Sequence, residues 1–351
     1  MCTHFPTFAK NNTLKMTPLV SIIIVTYNQE QTIARAIDSV LNQKCNFNYE
    51  IIIGDDFSTD KTREICIEYA NRFSNIIKLY LNLSNKGVLN NYIDCFLKCS
   101  GKYIADCAGD DYWITPNKLQ QQVEILEQDK SLSAVHTNWF FYYPETQATR
   151  ISDTKGLYNS LRKSKLSGRE LLIPILTQTD IPIIHLCTTL YRTDILKKAY
   201  EKDPNLFRNK DYPCEDLQIT FILALNGNIA FIDTPTTHYT VKENSISNNT
   251  DDIKQLKFSL GINKLCLYIA SQYNIKDPKL NEFLHINIFK MLMHIFRSKS
   301  FEFISIIENE AILLGGYNLK CKILVIILKC KLLYYPAKFI RDLIVYIKNN
   351  I

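Results

Sequence analysis

Two copies of Gly-Asp-Asp, Gly54-Asp55-Asp56 and Gly109-Asp110-Asp111, each close a short apolar run, and a third acidic pair, Glu215-Asp216, opens a helical stretch. Carboxylates at the ends of strands suit two tasks: accepting hydrogen bonds from a nucleotide, and ligating a hard divalent cation through oxygen. Ile51-Ile52-Ile53 precedes the first copy and Lys102-Tyr103-Ile104-Ala105 the second. Both runs are β-branched or aromatic and too short for helices, so both read as buried strands. A single Gly-Asp is also ordinary turn chemistry, with glycine at positive φ and aspartate accepting backbone N–H groups. Two such pairs, each after a strand, favour a ligand site.

Those strands belong to a regular series. Residues 19–25 form an apolar strand ending in Thr26-Tyr27-Asn28, and 31–41 carry Ile33, Ala34, Ile37, Val40 and Leu41 at helical spacing. After the first acidic pair, Ser58-Thr59-Asp60 can cap a helix over 62–73. A strand over 76–81, a polar loop over 82–87 and a helix over 89–99 lead to the second acidic strand. Strands alternating with helices of about a dozen residues predict a mostly parallel α/β sheet flanked by helices. Pro116 opens a helix to 126, and 134–143 reads as a strand. The polar loop 144–167, with Arg150, Lys155, Arg162, Lys163 and Lys165, is expected to move; strands over 187–191 and 229–232 and a helix over 217–225 follow. From Asp251 onward the pattern is helical, placing a boundary in the polar cluster 248–252. The expected organisation is a leader over 1–17, an α/β domain over 18–248 and a helical region over 249–351.

Composition sets outer limits. The chain has 351 residues, 46% hydrophobic and 22% charged, as in soluble globular proteins. Eleven cysteines, odd in number, irregularly spaced and without a C-x-x-C pair, suit free thiols in a reducing compartment, so a cytoplasmic location is expected. Residues 1–17 lack the apolar core of a signal peptide, and the strongly apolar run 323–328 falls far short of the roughly 20 residues that span a bilayer. Residues 311–351 hold seven basic side chains and one acidic one, a net +6 equal to that of the whole chain, which leaves the body formally neutral. From Pro336 a helix would gather Phe339, Ile340, Leu343, Ile344 and Ile347 on one side, with Lys338, Arg341, Asp342 and Lys348 toward the other. Such a helix either lies on an anionic membrane surface or packs on the main domain with a solvated basic face.

Six segments in order, residues 20–28 (VSIIIVTYN), 53–62 (IGDDFSTDKT), Asn85-Lys86-Gly87, 101–113 (GKYIADCAGDDYW), Glu215-Asp216 and 239–245, resemble glycosyltransferase family 2 with its nucleotide-sugar-binding GT-A fold. The Gly-Asp-Asp-Tyr-Trp form is similar to transferases of bacterial surface polysaccharide synthesis. The resemblance implies that Thr26 and Tyr27 line the base pocket, Asn28 and Lys86 belong to the donor site, and Asp55 or Asp56 accepts the pyrimidine N3–H. Tyr27 has a second reading as a core aromatic. The family's metal motif would fall on Asp110 and Asp111, with Asp110 as principal ligand of Mn2+ or Mg2+; Ala108 stands where many members carry an acid, and Asp106 is two residues before it. Position matching makes Asp216 the base that deprotonates an acceptor hydroxyl, against a plain role for Glu215-Asp216 at a helix N-terminus.

Lys242, in Tyr239-Thr240-Val241-Lys242, would meet the donor diphosphate, although Thr240 cannot replace the guanidinium common in relatives, and His238 is an alternative. Glu215, His185 and Trp113 are placed on the acceptor side, with Thr188, Thr189 and Arg192 nearby. The implied reaction is inverting transfer from a UDP-linked sugar to a glycan or lipid-linked acceptor in surface polysaccharide synthesis, at the inner face of the cell membrane. Two other readings stand beside it. Gly-Asp-Asp also marks metal sites in RNA polymerases, but a neutral body without a basic channel argues against a nucleic-acid partner. The other is a non-catalytic binding or scaffold protein that keeps the fold, for which Ala108 and Thr240 speak.

Overall fold

Val-Ser-Ile-Ile-Ile-Val-Thr folds as a central strand, β1 (Val20–Thr26), because a β-branched run buried on both faces suits the middle of a parallel sheet. The computed structural model describes residues 17–152, 165–177, 184–242 and 250–350. The leader to residue 16, Lys155, Arg162, Lys163 and Ser245 therefore lie outside the described residues.

The strands after β1 are β2 (Tyr49–Asp55), β3 (Ile77–Leu81), β4 (Tyr103–Asp106), β5 (Tyr112–Trp113), β6 (Leu132–Tyr143), β7 (Ala148–Ile151), β8 (Lys165–Leu166), β9 (Leu190–Arg192) and β10 (Asn228–Thr240). Their order across one sheet is β3-β2-β1-β4-β9-β6-β10-β5, with β7 on β6 and β8 on β10. β1 to β4 are mutually parallel, as are β6 and β10. β9 runs antiparallel to both β4 and β6 and joins the two halves. The sheet is thus mostly parallel and flanked by helices, as the alternation of strands and helices predicted, with β9 as an antiparallel strand inside it. Three residues at β9 carry too little pattern to declare a direction.

Helices α1 (Ile33–Leu41), α2 (Thr62–Arg72), α3 (Val88–Phe96) and α4 (Lys118–Gln128) fill the connections of the first half. α1 buries Ile33, Ala36, Ile37, Val40 and Leu41 at helical spacing. Burying each of the larger ones is worth roughly 1.5–3 kcal/mol, which holds a nine-residue helix too short to persist alone. α5 (Gly168–Leu176), α6 (Thr193–Lys202), α7 (Asn205–Arg208) and α8 (Asp216–Asn226) follow. Residues 187–191, expected as one strand, split into a 3-10 turn at Leu186–Thr188 and β9. The strand expected over 229–232 extends to Thr240, with register shifts around Pro235. Within the polar loop after 143, β7 pairs antiparallel with β6.

Contacts divide the chain into Met1–Lys210 with Cys214–Lys242, and Asp211–Pro213 with Glu243–Ile351. The second unit is helical: α9 (Asp252–Gln272), α10 (Pro278–Ser298), α11 (Ile304–Leu313), α12 (Leu319–Lys329) and α13 (Lys331–Asn350). Its core gathers Leu256, Ile288, Met291, Leu292, Ile295, Ile307 and Leu324. α13 begins five residues before Pro336, which sits inside it rather than opening it. Proline there costs only the bond to the carbonyl of Leu332, a residue that is itself exposed. Among the described residues ten cysteines are free, and no helix is long and apolar enough to cross a membrane.

Candidate active site

Both Gly-Asp-Asp segments flank the carboxyl end of β1. Thr26 is in register with Asp55 on β2, the Asp56 N–H donates to the Thr26 carbonyl at 2.9 Å, and the Gly109 N–H donates to the Val25 carbonyl at 3.0 Å. Neither Gly54 nor Gly109 has positive φ, so the turn reading of these glycines does not hold. Close approach explains them instead. A Cβ on Gly109 would lie 2.8 Å from Thr26 Oγ1, and one on Gly54 would lie 2.3 Å from Cys95 Sγ on α3.

The loops after β1 and β2 are zipped together by side chains. Asn28, in the left-handed region at φ 50, donates its N–H to Ser58 Oγ at 3.0 Å and accepts from Thr59 N–H at 2.8 Å. Ser58 therefore does not cap α2; Lys61 stands at its N-cap position, and Asp60 just before it accepts from Thr62 N–H at 2.9 Å. Tyr27 is about half exposed beside this loop, which removes its core reading. Asp55 is sealed from solvent and takes Arg63 Nε on Oδ2 at 2.8 Å. Asp56 holds the loop before α3: Oδ1 accepts from Asn82 Nδ2 and Lys86 N–H, and Oδ2 from Gly87 N–H alone at 2.9 Å. The Lys86 ammonium turns to Asp94, at 2.7 Å, which Arg208 also holds at 2.8 Å. Arg63 and Asn82 were not foreseen; Arg63 is legible only as a basic residue in the first turn of the helix following the acids.

The second acidic pair divides between outside and inside. Asp110 is partly exposed and meets Lys242 Nζ at 3.4 Å. Asp111 is buried, and its Oδ1 accepts from Thr240 N–H at 2.9 Å. Thr240 Oγ1 donates to the Asp110 carbonyl at 2.5 Å, so the residue that departs from the family's guanidinium braces both acids through its backbone and hydroxyl. Burial, then the charge of Asp110, raises the Asp111 pKa well above the ordinary carboxylate value. Asp106 is buried below them, hydrogen-bonded to Tyr92 Oη at 2.7 Å, and Tyr92 Oη meets Tyr191 Oη at 2.6 Å. Desolvation pushes Asp106 up to about 7, and it cannot supply the acid missing at Ala108.

Glu215 and Asp216 stand at the start of α8, a helix buried from Leu217 to Ala224. Glu215, at the N-cap position, makes no side-chain cap bond there. Burial, then the charge of Asp216, pushes Glu215 up to about 8, so it keeps its proton at neutral pH. His185 packs on Tyr239 with ring centroids 4.2 Å apart, and burial lowers it to about 4 although Asp216 and Asp110 both pull the other way. It is a neutral imidazole within the field of both carboxylates. Thr188 and Thr189 are spent on the His185 carbonyl, and Arg192 on the carbonyls of Leu126 and Leu132.

Trp113, expected on the acceptor side, is buried: its Nε1 donates to the Cys187 carbonyl at 3.1 Å, and Lys118 Nζ lies 4.4 Å from its ring. The aromatic alternation of β5 against β10 turns it inward. His238 stacks on Tyr142 and bonds Tyr112 Oη through Nδ1, so it belongs to an aromatic packing cluster under Arg35. The structure thus gathers Asp110, Lys242, His185, Tyr239 and Asp216 at one place, and Thr26, Tyr27, Asn28, Asp55 and Asp56 at the end of β1. It leaves Asp111 and Trp113 inside.

Asp106 carries a pH prediction. A carboxyl whose folded pKa is raised from 3.8 to about 7 contributes stability that is fully present below 3.8 and lost as pH rises through 7. Thermal unfolding of Asp106→Asn, which keeps an acceptor for Tyr92, should show a flatter fall in Tm between pH 4 and 7 than the parent chain, by roughly 5 °C. Equal slopes would remove Asp106 as the cause.

Comparison with known proteins agrees with this geometry. The profile described as Glycosyl transferase family 2 matches residues 21–199. The Escherichia coli UDP-Glc:alpha-D-GlcNAc-diphosphoundecaprenol beta-1,3-glucosyltransferase WfgD is 32% identical over 48% of this chain and 65% of its own. This chain spans less than two thirds of the length of the curated relatives it matches. S. aureus TarS 1-349, solved with UDP-GlcNAc, superposes with TM-score 0.55 at 17% identity over 91% of this chain and 87% of that one. The mannosyltransferase PcManGT from Pyrobaculum calidifontis, solved with GDP-Man and Mn2+, superposes with TM-score 0.52 at 15% identity, covering 94% and 88%. At such identity the two structures speak for the fold, which is GT-A. With a family profile over half its length, that fold, and acids flanking the end of its first strand, the chain belongs to glycosyl transferase family 2.

Proposed function

We propose that the protein moves a sugar, with inversion, from a nucleotide-sugar donor to a glycan or lipid-linked acceptor in surface polysaccharide synthesis, working at the inner face of the cell membrane. The carrying observation is that Asp110, paired with Lys242 at 3.4 Å, and Asp216 both act through their charge on His185, which packs against Tyr239. Tyr27, exposed beside the Asn28–Thr59 zipper, offers its ring to the base. Both acids after β2 are buried and both keep a spare acceptor, Asp55 Oδ1 with no partner and Asp56 Oδ2 with one donor; we assign the pyrimidine N3–H to Asp56 because Asp55 is fully sealed and pairs with the Arg63 guanidinium through its other oxygen. A UDP-linked donor fits that acceptor.

Among the described residues no three metal-ligating side chains converge. The single outward carboxylate, Asp110, fits an Mn2+ or Mg2+ ion that takes most of its oxygens from the donor diphosphate. Bound there, the ion would offset charge on the departing diphosphate. Lys242, 3.4 Å from Asp110, can exchange that ion pair for a phosphate oxygen. Asp111 and Thr240 hold the Asp110 loop still. Asp216 takes the proton of the acceptor hydroxyl as that oxygen attacks C1, and the nucleoside diphosphate leaves from the opposite face. Burial and the neighbouring Asp216 raise the Glu215 pKa to about 8, which favours its protonated form beside the proposed base. His185, uncharged, can accept or donate a hydrogen bond to the same hydroxyl.

Screening nucleotide sugars with Mn2+ for thermal stabilisation and for nucleoside diphosphate release tests the reading. Stabilisation without turnover toward any lipid-linked or glycan acceptor would turn it toward a binding module. Asp56→Asn should weaken UDP binding about tenfold in calorimetry while Asp55→Asn chiefly lowers stability, because only the first leaves the base N3–H facing another donor. The reverse outcome would exchange the two roles.

A further inference from the structure

Of the 23 exposed large hydrophobic residues among those described, 11 fall between Ile312 and Ile344. That concentration is far beyond the scattered apolar residues of an ordinary surface. It has a definite layout. α12 buries Cys321, Leu324, Val325 and Leu328 against the helical core, and on the opposite side exposes Leu319, Ile323 and Ile326. At 3.6 residues per turn, Lys320 falls along one border of this outer stripe and Lys322 and Lys329 along the other. A helix buried on one side has no need of a second apolar stripe for folding. α13 repeats the plan: Tyr334 anchors it, its hydroxyl donating to the Phe296 carbonyl at 2.9 Å, while Leu332, Tyr335, Phe339, Ile340 and Ile344 are exposed. Lys331 and Lys338 edge that arc.

We propose that the outer faces of α12 and α13 together form a docking surface for an anionic lipid bilayer. Apolar side chains enter the acyl boundary, while the bordering lysines lay their stems along it and keep their ammonium groups at the phosphates. Charge selects this occupant over a neutral partner. Residues 311–351 carry seven basic groups and one acid, Asp342, which Arg341 already holds; Lys329 pairs with Glu308 of α11 at 2.6 Å, which leaves Lys320, Lys322, Lys331 and Lys338 to meet the phosphates. A second copy of the same face would set lysine against lysine. The inference extends the proposed work at the membrane and rests on that reading only for its biological sense. It enlarges the surface expected from the segment after Pro336, because the α12 stripe lies wholly before that residue.

The test is sedimentation of the full chain with phosphatidylcholine vesicles with and without phosphatidylglycerol, read alongside nucleotide-sugar turnover in detergent so that failure of docking and failure of transfer are seen separately. The chain should pellet with the anionic vesicles only and be released by high salt. Lys320→Gln with Lys322→Gln should weaken binding about fivefold per lysine. Ile323→Ser with Phe339→Ser should abolish it, with Tm unchanged because both positions are exposed. A wild-type chain that stays in the supernatant overturns the proposal, as do variants that pellet equally well. A dimer that Ile323→Ser with Phe339→Ser dissociates, without vesicle binding, also overturns it and makes this face an interface between copies.

Discussion

Asp216→Asn is expected to lower sugar transfer about a thousandfold while leaving nucleotide-sugar binding within twofold of the parent. General-base catalysis contributes on the order of 10²–10⁴ in rate, and an amide cannot take the acceptor proton. Asparagine keeps the size of the side chain at the start of α8, and since Asp216 is the first helical residue and not the N-cap, helix stability should hardly change. Initial rates with a diphosphate-release assay, beside calorimetric donor binding, would separate the two effects. Equal loss of donor binding would mean that Asp216 serves the donor. The companion variant Glu215→Gln should keep most activity, because Glu215 already carries a proton at neutral pH.

The second large effect concerns stability. Gly168 opens α5 against the C-terminal end of α8, and a Cβ there would lie 1.9 Å from the carbonyl oxygen of Ala224 and 2.1 Å from that of Gly227. Backbone carbonyls cannot turn aside as a flexible side chain can. Gly168→Ala is therefore expected to cost about 3 kcal/mol or more, the upper part of the range for overpacked interiors. For a unit of this size that is roughly 10 °C in Tm. It should also reduce transfer, since α8 carries Glu215 and Asp216 at its other end. A variant with unchanged Tm would show that α5 moves away at little cost.

Much of the frame was legible from residues alone. Buried β-branched runs mark β1 and β2, and apolar spacing of 3.6 marks α1, because period and residue type are local consequences of backbone geometry. The acids sit beyond strand ends for the same reason. Direction was less legible. β9 has three residues, and whether it runs with or against β4 depends on how the chain returns across the sheet.

At the site, neighbours in sequence part company in space. Asp110 faces outward and Asp111 inward only because the Thr240 N–H, 129 residues away, claims the Asp111 carboxylate. The proton on Glu215 and the neutral ring of His185 follow from desolvation, which exists only once the fold has closed over them. Trp113 is buried because β5 pairs with β10. On α12 two apolar stripes are written in the same eleven residues, and packing alone decides which is covered. Local periodicity and motif order were enough to locate the two Gly-Asp-Asp strand ends, the α/β frame and the family they resemble. The tertiary structure decided which carboxylates can meet a ligand, which keep a proton and which apolar face is left to solvent, because each depends on atoms distant along the chain that remove water from one group and not from its neighbour.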